Sequence, residues 1–222
     1  MRILIQCANK HELAALKKHF DSDNRVLLKC SGMGFRKAYE SLLSSLSSLN
    51  SRAKGLTDLL VVDFGSAGAL HPGLKVGEVV VGTSAKTLTQ KTIPIKTSPS
   101  HLRFEENLVN LSHLWGAMLT VEHPIETRED RKRLYTIENV VAATMETYAI
   151  ADVCAAQKVS CISVRAITDI GSGQVMEEYL KNYRWVLANL AERLSEALKE
   201  YDYSSRTNVT GPSLQTSTFI SA

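Results

Sequence analysis

The chain is poor in cysteine, and its four cysteines follow no pairing pattern. Cys7, Cys30, Cys154 and Cys161 lie inside apolar segments, none forms a Cys-x-x-Cys pair, and no Cys/His cluster has zinc spacing. A zinc module is excluded, and the four read as reduced, buried thiols of a cytoplasmic protein. No stretch approaches the ~20 apolar residues of a membrane span. The first apolar run, Ile3 to Cys7, is too short for a secretory signal and reads as a first strand. Without such a signal, the glycosylation sequons at Asn110 and Asn208 read as chance matches. Charge of one sign is also missing: 26 Lys and Arg stand against 23 Asp and Glu, interspersed, for a net +3. That excludes the basic face of a nucleic-acid binder. There is no internal repeat and no linker before the tail.

What is present is enough for one core. Of 222 residues, 44% are hydrophobic, which fits a single domain over residues 1–201. Residues 202–222 form a Ser/Thr-rich tail, expected to be loosely held. Apolar runs read as strands at Ile3–Cys7, Arg25–Lys29, Thr57–Phe64, Val76–Val81, Ala117–Val121, Val140–Ala143 and Ser160–Ile167. Helices are expected from Glu12 to Phe20, after Gly34, over Leu102–Leu114, over Arg128–Tyr135, through Tyr148–Val153, and over Tyr179–Leu198. Ser84 to Ser100 has no period and reads as an irregular excursion. Strands alternating with helices predict an α/β fold with a mostly parallel or mixed sheet covered on both sides.

Glycines and lone carboxylates fall just after strands, where α/β proteins bind ligands. Glu146 stands where strand becomes helix. It reads first as an acid favoured at a helix N-terminus by the dipole; it also suits a pair of ribose hydroxyls, which a carboxylate accepts well. Gly32-Met-Gly34 and Gly65-Ser-Ala-Gly68 let backbone amides approach a ligand, and each reads equally as a tight turn. Neither is a Rossmann fingerprint, since the third glycine is missing, and neither is a P-loop, since no Gly-Lys-Ser/Thr follows.

Taken in order, Glu12, Ser31-Gly-Met-Gly34, Gly65-Ser-Ala-Gly-Ala-Leu70 with Leu74-Lys-Val-Gly-Glu-Val-Val-Val81, Met145-Glu146 with Ala149-Ile-Ala-Asp-Val-Cys154, and Val164-Arg-Ala-Ile-Thr-Asp169 resemble the nucleoside phosphorylase/nucleosidase superfamily. Within it the chain looks most like the 5′-methylthioadenosine/S-adenosylhomocysteine nucleosidases and the aminodeoxyfutalosine and futalosine nucleosidases. The resemblance covers roughly residues 1–200. It implies a three-layer α/β/α sandwich around a twisted mixed sheet, and hydrolysis of a purine N-glycosidic bond without metal or organic cofactor. It also implies a homodimer.

The resemblance carries roles to particular positions. Asp169 matches the acid that gives N7 of the leaving purine a proton, so it must be protonated when substrate binds. Glu12 matches the base that activates water on the other face of the sugar. Two carboxylates in opposite protonation states, one per face of an oxocarbenium-like sugar, are the logic of an inverting hydrolase. Glu146 takes the 2′- and 3′-hydroxyls, Met145 packs on the sugar, Ser66, Ala67 and Gly68 lie near water and ribose, and Ile125 reads the purine edge with its backbone.

Departures touch substrate identity. Pro124 stands where a stacking Phe is expected, and the excursion from Ala85 to Trp115 is short. An Asp at 169, where futalosine hydrolases often have Asn, favours an adenine-bearing nucleoside; methylthioadenosine and 6-amino-6-deoxyfutalosine, the latter a step of menaquinone biosynthesis, both qualify. Two other readings stay open. A purine nucleoside phosphorylase needs a cationic phosphate pocket, yet Asp63 occupies the position of the phosphorylases' arginine, and Arg36 is the nearest cation in sequence. A catalytically silent nucleoside-binding homologue would not need Glu12.

Overall fold

The computed structural model describes residues 2–52, 56, 58–97, 101, 104, 107–108 and 112–207. Eight strands join in one mixed sheet: β1 (Arg2–Cys7), β2 (Val26–Cys30), β3 (Leu59–Ala69), β4 (Val79–Lys86), β5 (Ile93–Pro94), β6 (Leu114–Thr120), β7 (Ala142–Thr144) and β8 (Ser160–Asp169). Among the described residues the helices are α1 (Lys10–Phe20), α2 (Phe35–Arg52), α3 (Arg128–Glu138), α4 (Thr147–Gln157) and α5 (Val175–Thr207).

Both faces of the sheet are buried, which explains its strongly apolar strands. In β1, Ile3 and Ile5 face α1 and α5 together with Val62 and Phe64 of β3, Leu16, Leu187 and Leu194. Leu4 points the other way and joins Val61, Leu42 and Leu46 of α2, and Ile150 and Val153 of α4. Period-2 alternation therefore sends neighbouring apolar residues into two separate cores. The result is the expected α/β/α arrangement, α1 and α5 on one side and α2 and α4 on the other.

The sheet runs β2-β1-β3-β7-β6-β4-β5, and β8 pairs with both β3 and β4. The strands β3, β7, β6, β4 and β8 therefore close into a ring. β3 makes closure possible by its length: residues 60–68 pair in parallel with β8, while Gly68 and Ala69 pair antiparallel with β7.

The structure corrects several expected boundaries. Gly65-Ser-Ala-Gly68 is not a turn but the second half of β3, with a register shift between Ala67 and Gly68. Glycine in a strand marks a place where something comes close, and here it is side chains. A Cβ at Gly65 would lie 2.6 Å from Arg165 Nη1 and 2.7 Å from Glu12 Oε1, and one at Gly68 would lie 2.9 Å from Asp169 Oδ1. β4 continues to Lys86, so the excursion expected from Ser84 begins as strand and includes β5. α5 runs on to Thr207, past the expected boundary at 201; residues 208–222, with Asn208, lie outside the described residues, as does Asn110. Of the helix expected over Leu102–Leu114, Phe104 and Leu108 are buried in the core and several neighbours lie outside the described residues. Cys7, Cys154 and Cys161 are buried and Cys30 half-buried, all as free thiols. No helix among the described residues is long and apolar enough to cross a membrane.

Candidate active site

One cavity opens where β1, β3, β6, β7 and β8 end. Glu12, Ser66, Ala67, Gly68, Ile125, Met145, Glu146 and Asp169 all line it, so the residues given catalytic and substrate-binding roles by the resemblance meet there, while Asp63 and Arg36 do not line it. Ala8, Asn9, Met33, Pro124, Arg131, Thr168 and Tyr179 are among its other wall residues. Among the described residues no group of three His, Cys, Asp or Glu side chains has the geometry to hold a metal ion.

Glu12 reaches the cavity from the first turn of α1. Asn9 caps that helix, accepting from the amides of His11 at 2.9 Å and Glu12 at 3.1 Å, and Glu12 returns the bond to the Asn9 amide at 3.2 Å. This reciprocal capping box fixes the side chain. Its Oε2 also accepts from the Ala8 amide at 2.6 Å, and Oε1 accepts from the Ser66 amide at 3.2 Å. The first-turn acid and the cavity carboxylate are thus one group in two roles. Burial pushes its pKa up to about 7, with Glu146 adding to the rise and Arg165 opposing it.

Glu146 precedes α4 but makes no side-chain cap to it. The amide of Tyr148 in the first turn of α4 donates to Thr120 Oγ1 of β6 instead, at 2.9 Å. Relieved of that task, Glu146 points across the cavity floor. Its Oε1 accepts from the Gly34 amide at 2.9 Å, and Oε2 lies 3.6 Å from Arg165 Nη1. Gly34 has φ +93°, a conformation that glycine adopts without strain. The Gly32–Gly34 turn therefore aims an amide at the carboxylate. Burial raises the Glu146 pKa, and Arg165 is the largest opposing influence.

Asp169 ends β8 on the opposite wall. Its Oδ2 accepts from Thr168 Oγ1 at 2.9 Å, and Oδ1 pairs with Arg131 Nη2. Burial raises its pKa against the pull of Arg131. Ile125 lines the cavity, but its carbonyl oxygen already accepts from Arg131 Nε at 2.7 Å. That bond engages one of the two backbone groups expected to read a purine edge.

Two arginines were not legible in the sequence. Arg165, 1% exposed, pairs through Nη2 with Asp63, whose Oδ2 also accepts from Thr147 Oγ1 and Ser163 Oγ, each at 2.7 Å. Asp63 therefore lies beneath the cavity as the partner of Arg165 and does not itself face a ligand. The signal was one opposite charge inside each of two apolar strands, because buried charges must be paired. Arg131 sits in a helix crowded with charged residues, which do not set it apart. Its spacing to Leu134 and Tyr135, both packed inward, was the available sign.

The family model described as the phosphorylase superfamily matches residues 22–201. The chain is 25% identical over 193 residues to the 5′-methylthioadenosine/S-adenosylhomocysteine nucleosidase of Baumannia cicadellinicola, covering 79% of this chain and 81% of that one. It is 32% identical over 168 residues to the enzyme of the same name from Haemophilus ducreyi, covering 63% of this chain and 72% of that one. Among solved structures, a futalosine hydrolase mutant of Helicobacter pylori superposes with a TM-score of 0.76 at 16% identity, over 90% of this chain and 99% of that one, and so shares its fold. With the family model spanning most of the domain, this chain belongs to the phosphorylase superfamily.

Proposed function

We propose that the protein is a nucleosidase that hydrolyses the N-glycosidic bond of an adenine nucleoside and releases the free base. The single observation that carries this reading is the convergence of Glu12, Glu146 and Asp169 on one cavity from three distant parts of the chain. The nucleosidases named above supply the substrate class: 5′-methylthioadenosine or S-adenosylhomocysteine, with 6-amino-6-deoxyfutalosine of menaquinone biosynthesis as the other adenine nucleoside that fits. Glu146 binds the ribose hydroxyls, with Met145 against the sugar. Asp169 meets the purine at N7 and Glu12 activates water on the opposite face of the ring, near Ser66, Ala67 and Gly68. As the glycosidic bond breaks, positive charge on the sugar is balanced by Glu12 and Glu146.

Charge favours water over phosphate as the acceptor. The cation beneath the ribose end, Arg165, is already balanced by Asp63 and Glu146. Arg131, the one cation among the described residues lining the cavity, is paired to Asp169. Within the cavity itself a phosphate dianion would meet only a cation already paired, since Arg36 and Lys37 line the adjoining groove and not the cavity. The same reading takes the protein to be cytoplasmic and a homodimer. Met33 and Leu88, each 60% exposed, line a groove that shares Met33, Val121 and Met145 with the cavity. A second copy covering them would close the 5′ end, and light scattering on the purified chain measures that state.

The deciding experiment is a panel of methylthioadenosine, S-adenosylhomocysteine and aminodeoxyfutalosine, with free adenine measured with and without phosphate. Phosphate-independent release of adenine, lost in Asp169→Asn, is expected. Equal absence of release in wild type and Asp169→Asn across the panel would rule out the enzyme.

A further inference from the structure

Arg131 is 3% exposed, and its hydrogen bonds include Asp169 and Ile125, the two residues assigned to the leaving base. Nε donates to the Ile125 carbonyl at 2.7 Å, and Nη1 donates to the carbonyls of Ala69 at 3.1 Å and Asp169 at 3.0 Å. Nη2 pairs with Asp169 Oδ1. Three carbonyls from three segments therefore fix the plane of the guanidinium before it reaches the carboxylate. Two glycines make the space. A Cβ at Gly68 would lie 3.1 Å from Nη1, and one at Gly171, whose φ is +76°, would lie 2.5 Å from Nε. A buried guanidinium is costly unless its donors are engaged. This one is held by a cradle and directed at the proposed acid.

We propose that Arg131 is the positioning residue of the leaving-base end: it locks the Asp169 carboxyl and the Ile125 loop into one geometry, and it supplies the fixed positive charge against which Asp169 releases its proton. The inference rests on the nucleosidase reading. When the C1′–N glycosidic bond breaks, its electron pair goes to the purine. The Asp169 proton moves to N7, water adds at C1′ and gives a proton to Glu12, and the carboxylate left at 169 faces the Arg131 guanidinium. Without that charge, Asp169 would be a weaker acid in a dry site.

The other groups facing Asp169 do not replace Arg131. Glu178 of α5 bears a like charge, and its carboxylate accepts from the amides of Ile170 at 2.7 Å and Ser172 at 3.0 Å. Thr168 of β8 contributes a neutral hydroxyl. Glu12 and Glu146, also lining the cavity, are acidic and face Arg165. Burial drives the Asp169 pKa up, and Arg131 is the largest influence bringing it down.

The test compares wild type with Arg131→Met and Arg131→Gln, which remove the charge, and Arg131→Lys, which keeps it. Two readouts are used on each folded variant: the pH profile of kcat/KM for adenine release, and the carbon-13 titration of the Asp169 carboxyl, assigned with Asp169→Asn. Activity requires protonated Asp169, so it falls as pH rises through the pKa of that group. The neutral variants should move this alkaline limb, and the carbon-13 titration, upward by about one pH unit or more. Their kcat should drop about tenfold to a hundredfold as the acid loses its alignment. Arg131→Lys should titrate near wild type and recover part of the activity. Coincident titrations in wild type and in either neutral variant would overturn the proposal, whatever happens to stability. If wild type releases no base from any nucleoside, the nucleosidase reading fails on its own, and the carbon-13 titration still decides whether Arg131 governs Asp169.

Discussion

Glu12 closes the capping box of α1 and also presents a carboxylate to the cavity, so removing its charge must be separated from breaking its helix. Glu12→Gln does this, because glutamine serves equally at the third helical position of a capping box. The variant should keep its helix content by circular dichroism while kcat falls by about 10²- to 10⁴-fold, the usual contribution of a general base. A variant with wild-type kcat would remove Glu12 from the mechanism. Gly65 tests the same carboxylate from the other side. A methyl added at Gly65 would sit 2.7 Å from Glu12 Oε1 and 2.6 Å from Arg165 Nη1. Gly65→Ala should therefore cost about 1–3 kcal/mol by urea unfolding, as overpacking does, and should lower kcat by moving Glu12. An unchanged unfolding midpoint would mean that the two side chains can move aside freely.

Whole elements explain how Glu146 is left available. The first turn of α4 takes its cap from Thr120 of β6, and Thr120 Oγ1 lies 3.3 Å from Thr144 Oγ1 at the end of β7. Thr120→Val removes the acceptor and keeps the shape. It should cost about 1 kcal/mol, the usual worth of a cap. It should also raise KM for the nucleoside more than it lowers kcat, since Glu146 directly precedes the freed turn. Chemical denaturation and steady-state kinetics on the same preparation check both effects. Elements also mark how far the sequence could be read. Periodicity located most strands and helices because both faces of the sheet are apolar and α5 carries a long stripe. It failed at Gly65–Gly68, where local residue preference suggests a turn and β8 imposes a strand by pairing alongside. Ring closure was likewise unreadable, because no local pattern records that β8 has two partners. Glu146 could be singled out by its place after a strand, and Glu12 and Asp169 only through the ordered motifs of the family resemblance. Arg131 and Arg165 could not, because their meaning lies in partners far away in the chain, Asp169 and Asp63.

At the scale of the whole molecule, three carboxylates buried around one cavity set how stability depends on pH. Burial raises the pKa of Glu146 and Asp169, and brings Glu12 to about 7 from an ordinary 4.5. A carboxyl whose folded pKa lies above its unfolded value binds extra protons when folded. Its contribution is complete below the unfolded pKa and is lost as pH rises through the folded one. For Glu12 that window runs from about pH 4.5 to about pH 7, and at ~1.4 kcal/mol per unit the loss amounts to about 3 kcal/mol. The ligand-free protein should therefore unfold at lower urea concentration at pH 8 than at pH 5. Other groups titrate over the same range, so the informative quantity is the difference between wild type and Glu12→Gln. The variant cannot ionise at position 12 and should lose less stability across the window, becoming the more stable of the two at pH 8. Parallel pH curves for the two proteins would mean that Glu12 is not held in a dry site. Ionised Glu12 would then lack the poorly hydrated negative charge needed to draw a proton from water beside a cationic sugar.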